Sequence, residues 1–290
     1  MTKSEVSALI SLLDDPDEGV FNHIKDKLMA MGNEVIPMLE NAWETSFDSL
    51  LQNRVENLIH TIQFDAIKTN LKSWRKSGGH DLLAGAVLIS KYQYPDLNEK
   101  KISAHIDQIR QDIWLELNAN LTALEKIRVI NHIFFDVHNF SGNTTNFHAP
   151  QNSYINQVLE TKKGNPLSLS ILYTIIAQGL NIPIFGVNLP EHFILAYVED
   201  STHLPILAGN PSPKVIFYVN PFSKGSAFSY KEIDSFLKQL KLKPERIFYE
   251  PCSNIDIVMR LIRNLIFSFE KLGYPDKSAE MQVLLSCLMD

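Results

Sequence analysis

A chain of 290 residues, 45% hydrophobic and 21% charged, is long enough to bury a substantial core and predicts two or three packed units. Its 27 basic and 33 acidic residues give a formal charge of −6, and no basic stripe accompanies them, so nucleic acid is not an expected partner. No apolar stretch reaches the roughly 20 residues that cross a bilayer, and the acidic N-terminal pattern lacks a secretory signal. We therefore expect a cytoplasmic, soluble protein with no membrane partner.

The two cysteines, Cys252 and Cys287, both lie near the C-terminus. They are too few for a disulfide framework or for a Cys-rich zinc site, which needs four ligands in close pairs. The histidines other than His192 show no metal-ligand spacing with each other. The sequence therefore predicts no metal and no cofactor.

Residues 1–120 are predicted to form a helical region. An aspartate cap followed by Pro16 and Glu18 predicts a helix that starts at Pro16 and stops at Gly32, and another begins at Val35. The order of short helix, Asp-Pro turn, helix, Gly and Ile-Pro helix resembles a HEAT-type repeat. Since solenoids need about three repeats, a single copy fits an ordinary helical cap on a larger domain equally well.

Helical spacing of apolar residues continues toward the middle of the chain. It predicts helices from Asp81 to Ser90, from Ile102 to Leu117 and from Ala123 to Val137. The polar stretch from Asn139 to Gln151 keeps no regular period and predicts a loop. At this length the loop is more typical of function than of a mere connection.

Residues 121–229 are predicted to form an α+β core. Asn165 suits a helix N-cap and Pro166 a first helical position, and the following residues are apolar on all sides, as in a buried central helix. Three short β-branched or aromatic segments then predict strands. These strands run from Ile184 to Asn188, from Phe193 to Val198 and from Val215 to Val219.

Residues 230–290 return to helical spacing. Tyr230 to Leu240 and Ile255 to Leu272 are amphipathic, and a closing helix follows the turn at Gly273. The last two helices resemble a hairpin of the tetratricopeptide sort, although one hairpin is weak support for a repeat.

Four motifs in order carry a resemblance to a known family. The four motifs are Phe140-Ser141-Gly142-Asn143, Asn152 to Glu160, Gly164-Asn165-Pro166-Leu167-Ser168-Leu169-Ser170, and Gly186-Val187-Asn188-Leu189-Pro190-Glu191-His192-Phe193. Together they resemble the SirB-type branch of the transglutaminase-like superfamily, from about Asp81 onward. Two later stretches, Asn220-Pro221-Phe222 with Gly225 and Met259 to Leu265, are similar to the remaining landmarks of that family.

The resemblance implies a papain-type core in a predominantly helical α+β protein, with the central helix packed on a small antiparallel sheet. Active members place a cysteine at the N-terminus of that helix, a histidine on the next strand and Asp or Asn on a third. Matched residue by residue, Pro166 falls at or beside the cysteine position, His192 at the histidine position and Asn220 at the third. Proline has no nucleophilic atom, so the resemblance implies a core without its nucleophile.

Ser168 is the one hydroxyl that can replace the nucleophile near Pro166. Two residues along a helix turn about 200°, so Ser168 faces His192 only if the register is shifted. A Ser168–His192–Asn220 hydrolase or acyltransferase is therefore one interpretation. The other is that Ser168 bonds neighbouring backbone and that His192 is a structural residue.

Several polar residues are expected to line the cleft. Asn152, Asn156 and Glu160 share one helix face and either line the cleft or fix the preceding loop by hydrogen bonds, of which we favour the second. Asn165 and Glu191 are expected beside the cleft as well.

Two arginines lie three residues apart on a predicted helix near the C-terminus. Arg260 and Arg263 are expected to hold carboxylates or carbonyls at a domain junction, with an anion site as the alternative.

We expect a non-catalytic protein that binds a peptide or protein through the degenerate cleft. The alternatives are the Ser168 enzyme and an architectural helical scaffold, and fold class alone does not choose among them.

Overall fold

A computed structural model describes residues 2–199 and 214–289. The chain divides into two compact units, Met1–Asn70 and Leu71–Asp290. This division does not coincide with the domain ends placed at residues 120 and 229 from the sequence. The organisation into three domains therefore stays a prediction.

The first unit is helical and has a core of its own. Val6, Leu13, Leu28, Leu39 and Val55 are among its buried residues. Its helices are α1 (Lys3–Ile10), α2 (Glu18–Ala30), a 3-10 turn (Gly32–Val35), α3 (Ile36–Thr45) and the greater part of α4 (Ser49–Lys76).

Helix α2 starts two residues later than the sequence predicted. The cap is Asp17, whose Oδ1 accepts the backbone N–H of Gly19 at 2.7 Å, whereas Asp15 accepts the N–H of Asp17 itself at 2.8 Å. Asp15 forms an Asx turn and Asp17 caps the helix. In both cases the carboxylate accepts a backbone N–H two residues further on, so the sequence pattern does not distinguish the turn from the cap. The prediction that Pro16 is the first helical residue is wrong.

Helix α4 is the longest of the helices that the structure describes, and it was not assigned from the sequence. Val55, Leu58 and Ile62 are buried at helical spacing along it. That spacing is the signal that identifies the helix.

The second unit contains the remaining elements. Its helices are α5 (Leu82–Gln93), α6 (Glu99–Glu116), α7 (Ala123–Asn131) continued by a π-helical turn (His132–Val137), a 3-10 turn (Pro150–Ser153), α8 (Ile155–Thr161), α9 (Pro166–Gly179), a 3-10 turn (Pro221–Ser223), α10 (Tyr230–Gln239), a 3-10 turn (Arg246–Phe248), α11 (Asn254–Leu272) and α12 (Pro275–Ser286). Its strands are β1 (Ser141–Gly142), β2 (Lys163–Gly164), β3 (Ile184–Val187), β4 (Ile194–Val198), β5 (Val215–Asn220) and β6 (Ser226–Phe228).

Helix α9 is the centre of this unit. Every residue from Leu167 to Ala177 is buried, and the helix packs against strands β3 and β4 on one side and against helices α5, α6, α8 and α11 elsewhere. A helix that is apolar all round must bury its whole circumference to be stable in water. The predicted α+β class, mainly helical with a central helix on a small antiparallel sheet, is confirmed.

The sheet is antiparallel, in the order β3-β4-β5-β6. Strand β4 is buried along its full length, because it lies between two neighbours and beneath α9. Two-residue strands β1 and β2 pair in parallel, Ser141 with Lys163 and Gly142 with Gly164. This short pair joins the start of the predicted loop to the segment that leads into α9.

Helices α11 and α12 form a hairpin. Helix α11 ends at Gly273, which adopts φ 77° as its left-handed C-cap, and α12 packs back against α11. The tetratricopeptide-like character of this pair stays a prediction. Among the helices described, none combines the length and the apolar character needed to traverse a lipid bilayer.

Candidate functional site

A cavity of about 160 Å³ opens in front of Pro166, at the start of helix α9. Polar, charged and aromatic side chains from four separate segments meet there. The lining residues are Phe147, His148, Asn165, Pro166, Leu167, Glu191, Phe193, Arg260, Asn264, Phe267 and Ser268.

The start of α9 is closed by a reciprocal capping box between Asn165 and Ser168. The Asn165 side chain accepts the Ser168 N–H at 2.9 Å, and the Ser168 hydroxyl accepts the Asn165 N–H at 3.0 Å. Asn165 also donates to the Ser153 hydroxyl at 3.0 Å. Ser168 is only 1% exposed, so its hydroxyl serves the backbone of the helix start.

Replacing Ser168 with alanine should lower the free energy of unfolding by about 1–2 kcal/mol, because a buried N–H loses its acceptor. Ser170→Ala is the matched control. The Ser170 hydroxyl donates to the Pro166 carbonyl at 2.7 Å, and that carbonyl oxygen also accepts a helical backbone N–H. Because the oxygen keeps this second bond, removing the Ser170 hydroxyl should cost less stability than removing that of Ser168. Urea denaturation measures both. A Ser168→Ala loss smaller than that of Ser170→Ala would contradict the capping role.

The structure places His192 away from the cavity and its neighbour Phe193 in the cavity wall. The His192 ring is exposed and lies 4.7 Å from the ring of Phe236 on α10. Phe193 is 2% exposed, and its ring lies over Gly186, where an added Cβ would meet Phe193 Cζ at 2.5 Å. Successive residues of extended chain point to opposite sides, and here Phe193 takes the inward side.

Asn220 is engaged in its own turn. Its side-chain oxygen accepts the Phe222 N–H at 3.1 Å, and its amide donates to the Ser223 hydroxyl at 3.2 Å. Within the described residues, no hydrogen bond joins Ser168, His192 and Asn220 to one another. The arrangement lacks the nucleophile–base contact that acyl-transfer chemistry uses.

The five residues expected to line the cleft separate into two groups. Asn165 and Glu191 line the cavity, whereas Asn152, Asn156 and Glu160 do not. Asn156 Oδ1 is buried without a hydrogen-bond partner, and Glu160 is an exposed acceptor of Gln157 at 3.4 Å.

Asn152 holds the loop between residues 139 and 151. Its amide donates to the carbonyls of Asn146 at 2.6 Å and Phe147 at 3.1 Å, and its oxygen accepts the Asn143 amide at 2.9 Å. These bonds fix the loop that contributes Phe147 and His148 to the cavity. The loop was expected to be functional, but its aromatic residues were not singled out.

Arg260 is the cation of the cavity. Its Nη1 donates to Asn188 Oδ1 at 2.7 Å and to the Leu189 carbonyl at 3.0 Å, and its Cζ lies 5.9 Å from the centre of the Phe193 ring. Burial lowers the pKa of the guanidinium from its usual value, although an arginine keeps its charge in proteins. Arg263, three residues on, is exposed.

Neither cysteine is part of this cavity. Burial raises the pKa of the Cys252 thiol to about 12, so the thiolate that cysteine chemistry requires does not form near neutral pH. Cys287 is buried. Across residues 2–199 and 214–289, no three His, Cys, Asp or Glu residues converge on a metal position. His203, one of the histidines considered from the sequence, lies outside the described residues.

Comparison with known protein families is decisive for the central part of the chain. Residues 100–263 match the transglutaminase-like superfamily. The chain belongs to this superfamily. The transglutaminase-like region extends from α6 into α11 and contains Pro166, His192, Asn220 and Arg260.

Relatives of the transglutaminase-like chain occur in bacteria and animals. It is 27% identical over 208 residues to a UPF0162 protein of Xylella fastidiosa strain 9a5c, covering 68% of each chain. It is 26% identical over 208 residues to human F-box only protein 21, covering 63% of this chain but 32% of the human protein. A UPF0162 protein of Vibrio cholerae is 24% identical over 172 residues. No solved structure matches the chain.

A second, larger groove of about 830 Å³ is lined by the same loop together with Tyr94, Lys271 and Lys277. It shares Phe147 and His148 with the first cavity but does not reach the start of α9. The smaller cavity is the better candidate in a transglutaminase-like fold, because it alone of the two touches Pro166.

Proposed function

We propose that this transglutaminase-like protein binds a peptide, or an extended segment of a partner protein, in the cavity in front of Pro166 and performs no covalent chemistry on it. One observation carries the proposal. Proline is the first residue of the central helix, at or beside the position where active members of the superfamily place a cysteine, and the space in front of it is open.

The contacts of the nearby polar groups support binding over catalysis. The Ser168 hydroxyl is committed to the capping box and the His192 ring contacts Phe236. The cavity wall instead offers aromatic faces and one half-buried arginine, the side chains that are enriched where proteins bind peptides and other proteins.

The relatives are consistent with a domain that works through protein contacts. In human F-box only protein 21 the similar region makes up about a third of a longer chain, beside other sequence. We further propose that the HEAT-like helices of residues 1–70 and helix α12 have an architectural role, whereas α11 contributes side chains to the cavity.

The test is selection from a synthetic library of random dodecapeptides with free C-termini, followed by fluorescence anisotropy with the strongest binder. Phe267 forms one wall of the cavity and is 54% exposed, so Phe267→Ala should leave the fold intact. We expect this variant to weaken binding by about two- to tenfold, since an aromatic contact contributes roughly 0.5–1.5 kcal/mol beyond its area.

Tyr230→Ala is the control for this experiment. Tyr230 is 57% exposed and does not line the cavity, so its removal should leave binding unchanged. A library without any enriched peptide, or equal binding by Phe267→Ala and the wild type, would overturn the proposed function.

A further inference from the structure

Arg260 carries a partly buried positive charge in this cavity. Its two hydrogen-bond acceptors, the Asn188 amide oxygen and the Leu189 carbonyl, are both neutral. In the described part of the chain no carboxylate forms a salt bridge with it. A buried cation is costly to leave unpaired, and proteins normally pair it or use it.

The two bonds of Arg260 also leave part of its donor set free. Both pass through Nη1, and neither Nε nor Nη2 donates to any group of residues 2–199 and 214–289. These two nitrogens form one edge of the planar guanidinium, the edge that binds a carboxylate through two parallel hydrogen bonds. The bonds to Asn188 and Leu189 hold the plane in place, so that edge is oriented before a ligand arrives.

The residues around Arg260 indicate which group of the ligand lies next to its carboxylate. Phe193 and Phe267 contribute apolar faces to the same cavity, and His148 lies 5.4 Å from Phe267, ring centre to ring centre. A volume of about 160 Å³ is below the roughly 300–1,000 Å³ of pockets for drug-sized ligands. The cavity therefore fits one carboxylate and an adjoining apolar side chain.

Glu191 limits the charge that the cavity accepts. Its side chain is exposed, and its backbone adopts φ 58° in the turn that precedes β4. A carboxylate at this position repels a second negative charge on the ligand. A peptide with a single acidic group is thus favoured over an acidic run.

From these observations we propose that the ligand is a peptide carrying one carboxylate beside an apolar residue, and that Arg260 binds this carboxylate. The inference rests on the proposed function, because it specifies the ligand of the same cavity. A C-terminal carboxylate and an Asp or Glu side chain present the same chemistry.

The first experiment uses the wild-type protein alone. The strongest binder from the dodecapeptide library is synthesised with its free C-terminus, with a C-terminal amide, and with each Asp or Glu replaced by Asn or Gln. We expect the removal of one particular carboxylate to weaken binding at least about tenfold, because a charge-assisted bidentate pair is lost. The peptide that loses affinity shows whether the C-terminus or a side chain is recognised.

The second experiment uses Arg260→Gln, with Arg263→Gln as the matched control three residues further along α11. Arg260→Gln should weaken the binding of the acidic peptide about tenfold or more and leave the binding of the neutralised peptide unchanged. The substitution and the neutralisation of the peptide each remove the same interaction, that between Arg260 and the carboxylate, so their effects should not add. Arg263→Gln should bind as the wild type does. If Arg260→Gln fails to fold, the comparison of acidic and neutral peptides on the wild type decides alone.

The two proposals fail in different ways. Equal binding of the acidic and neutralised peptides to the wild type would overturn the carboxylate proposal and leave peptide binding in place. The absence of any enriched peptide would overturn peptide binding itself, and the carboxylate proposal with it.

Discussion

Phe134→Ala is expected to lower the free energy of unfolding by about 3–5 kcal/mol, the usual cost of emptying a large aromatic site. Phe134 is 0% exposed and lies in the π-helical turn after α7. Its ring centre is 4.4 Å from that of Phe140, 4.9 Å from Phe135 and 5.6 Å from Tyr173. The substitution removes a ring that joins this turn, the β1 segment and the central helix.

Val137→Ala is the control for this substitution. Val137 ends the same turn but is 49% exposed, so its truncation should cost less than about 0.5 kcal/mol. Urea denaturation followed by far-ultraviolet circular dichroism measures both variants. A loss below about 1 kcal/mol for Phe134→Ala would show that the aromatic cluster is not part of the core that positions α9.

Gly225→Ala should destabilise the protein by about 2–5 kcal/mol, through a backbone penalty and a displaced side chain. Gly225 has φ 69°, where an alanine costs about 1–2 kcal/mol, and an added Cβ would lie 1.9 Å from Asn131 Oδ1. Asn131 donates to the Gly225 carbonyl at 2.8 Å and accepts the Tyr173 hydroxyl at 3.0 Å. Displacing Asn131 breaks bonds that cost about 1–3 kcal/mol when a buried partner is left unsatisfied.

Gly273→Ala separates the backbone cost from the steric cost. Gly273 has φ 77°, and an added Cβ would meet no atom within 4 Å, so only the backbone penalty of about 1–2 kcal/mol applies. Thermal and urea unfolding of the two variants should therefore differ by at least about 1 kcal/mol. Equal losses would mean that Asn131 moves aside without cost.

Features encoded locally were predictable from the sequence. The cap at Asn165 and the helix start at Pro166 are determined by neighbouring residues, and both positions are correct. The three longer strands were found because each is a short β-branched or aromatic segment bounded by Pro, Gly or Asn, which is also a local signal. Helix α4 was detectable from the spacing of its apolar residues.

Features that depend on distant contacts were not predictable. Strands β1, β2 and β6 have only two or three residues, too few to show a period, and they exist because a partner strand pairs with them. The sequence also gave no means of telling which of His192 and Phe193 points inward. That choice depends on Gly186 and Arg260, which reach Phe193 only in the folded chain.

The importance of Arg260 shows the same limit. The sequence suggested that it holds carboxylates or carbonyls, and the carbonyl of Leu189 is indeed one acceptor. Its place in a cavity with Pro166 and with aromatic residues from two other segments results from tertiary packing. Arg260 lines the cavity, whereas Arg263, three residues further along the helix, is exposed. The sequence alone does not show this difference between the two arginines.

The fate of a bound peptide tests the central claim most directly. The selected dodecapeptide is incubated with an excess of the protein, once with and once without a primary amine. The mass of the peptide is then measured. We predict that the peptide binds and is recovered with its mass unchanged in both cases. Cleavage of the peptide or incorporation of the amine, lost on Ser168→Ala or His192→Ala, would contradict a cavity that binds without chemistry.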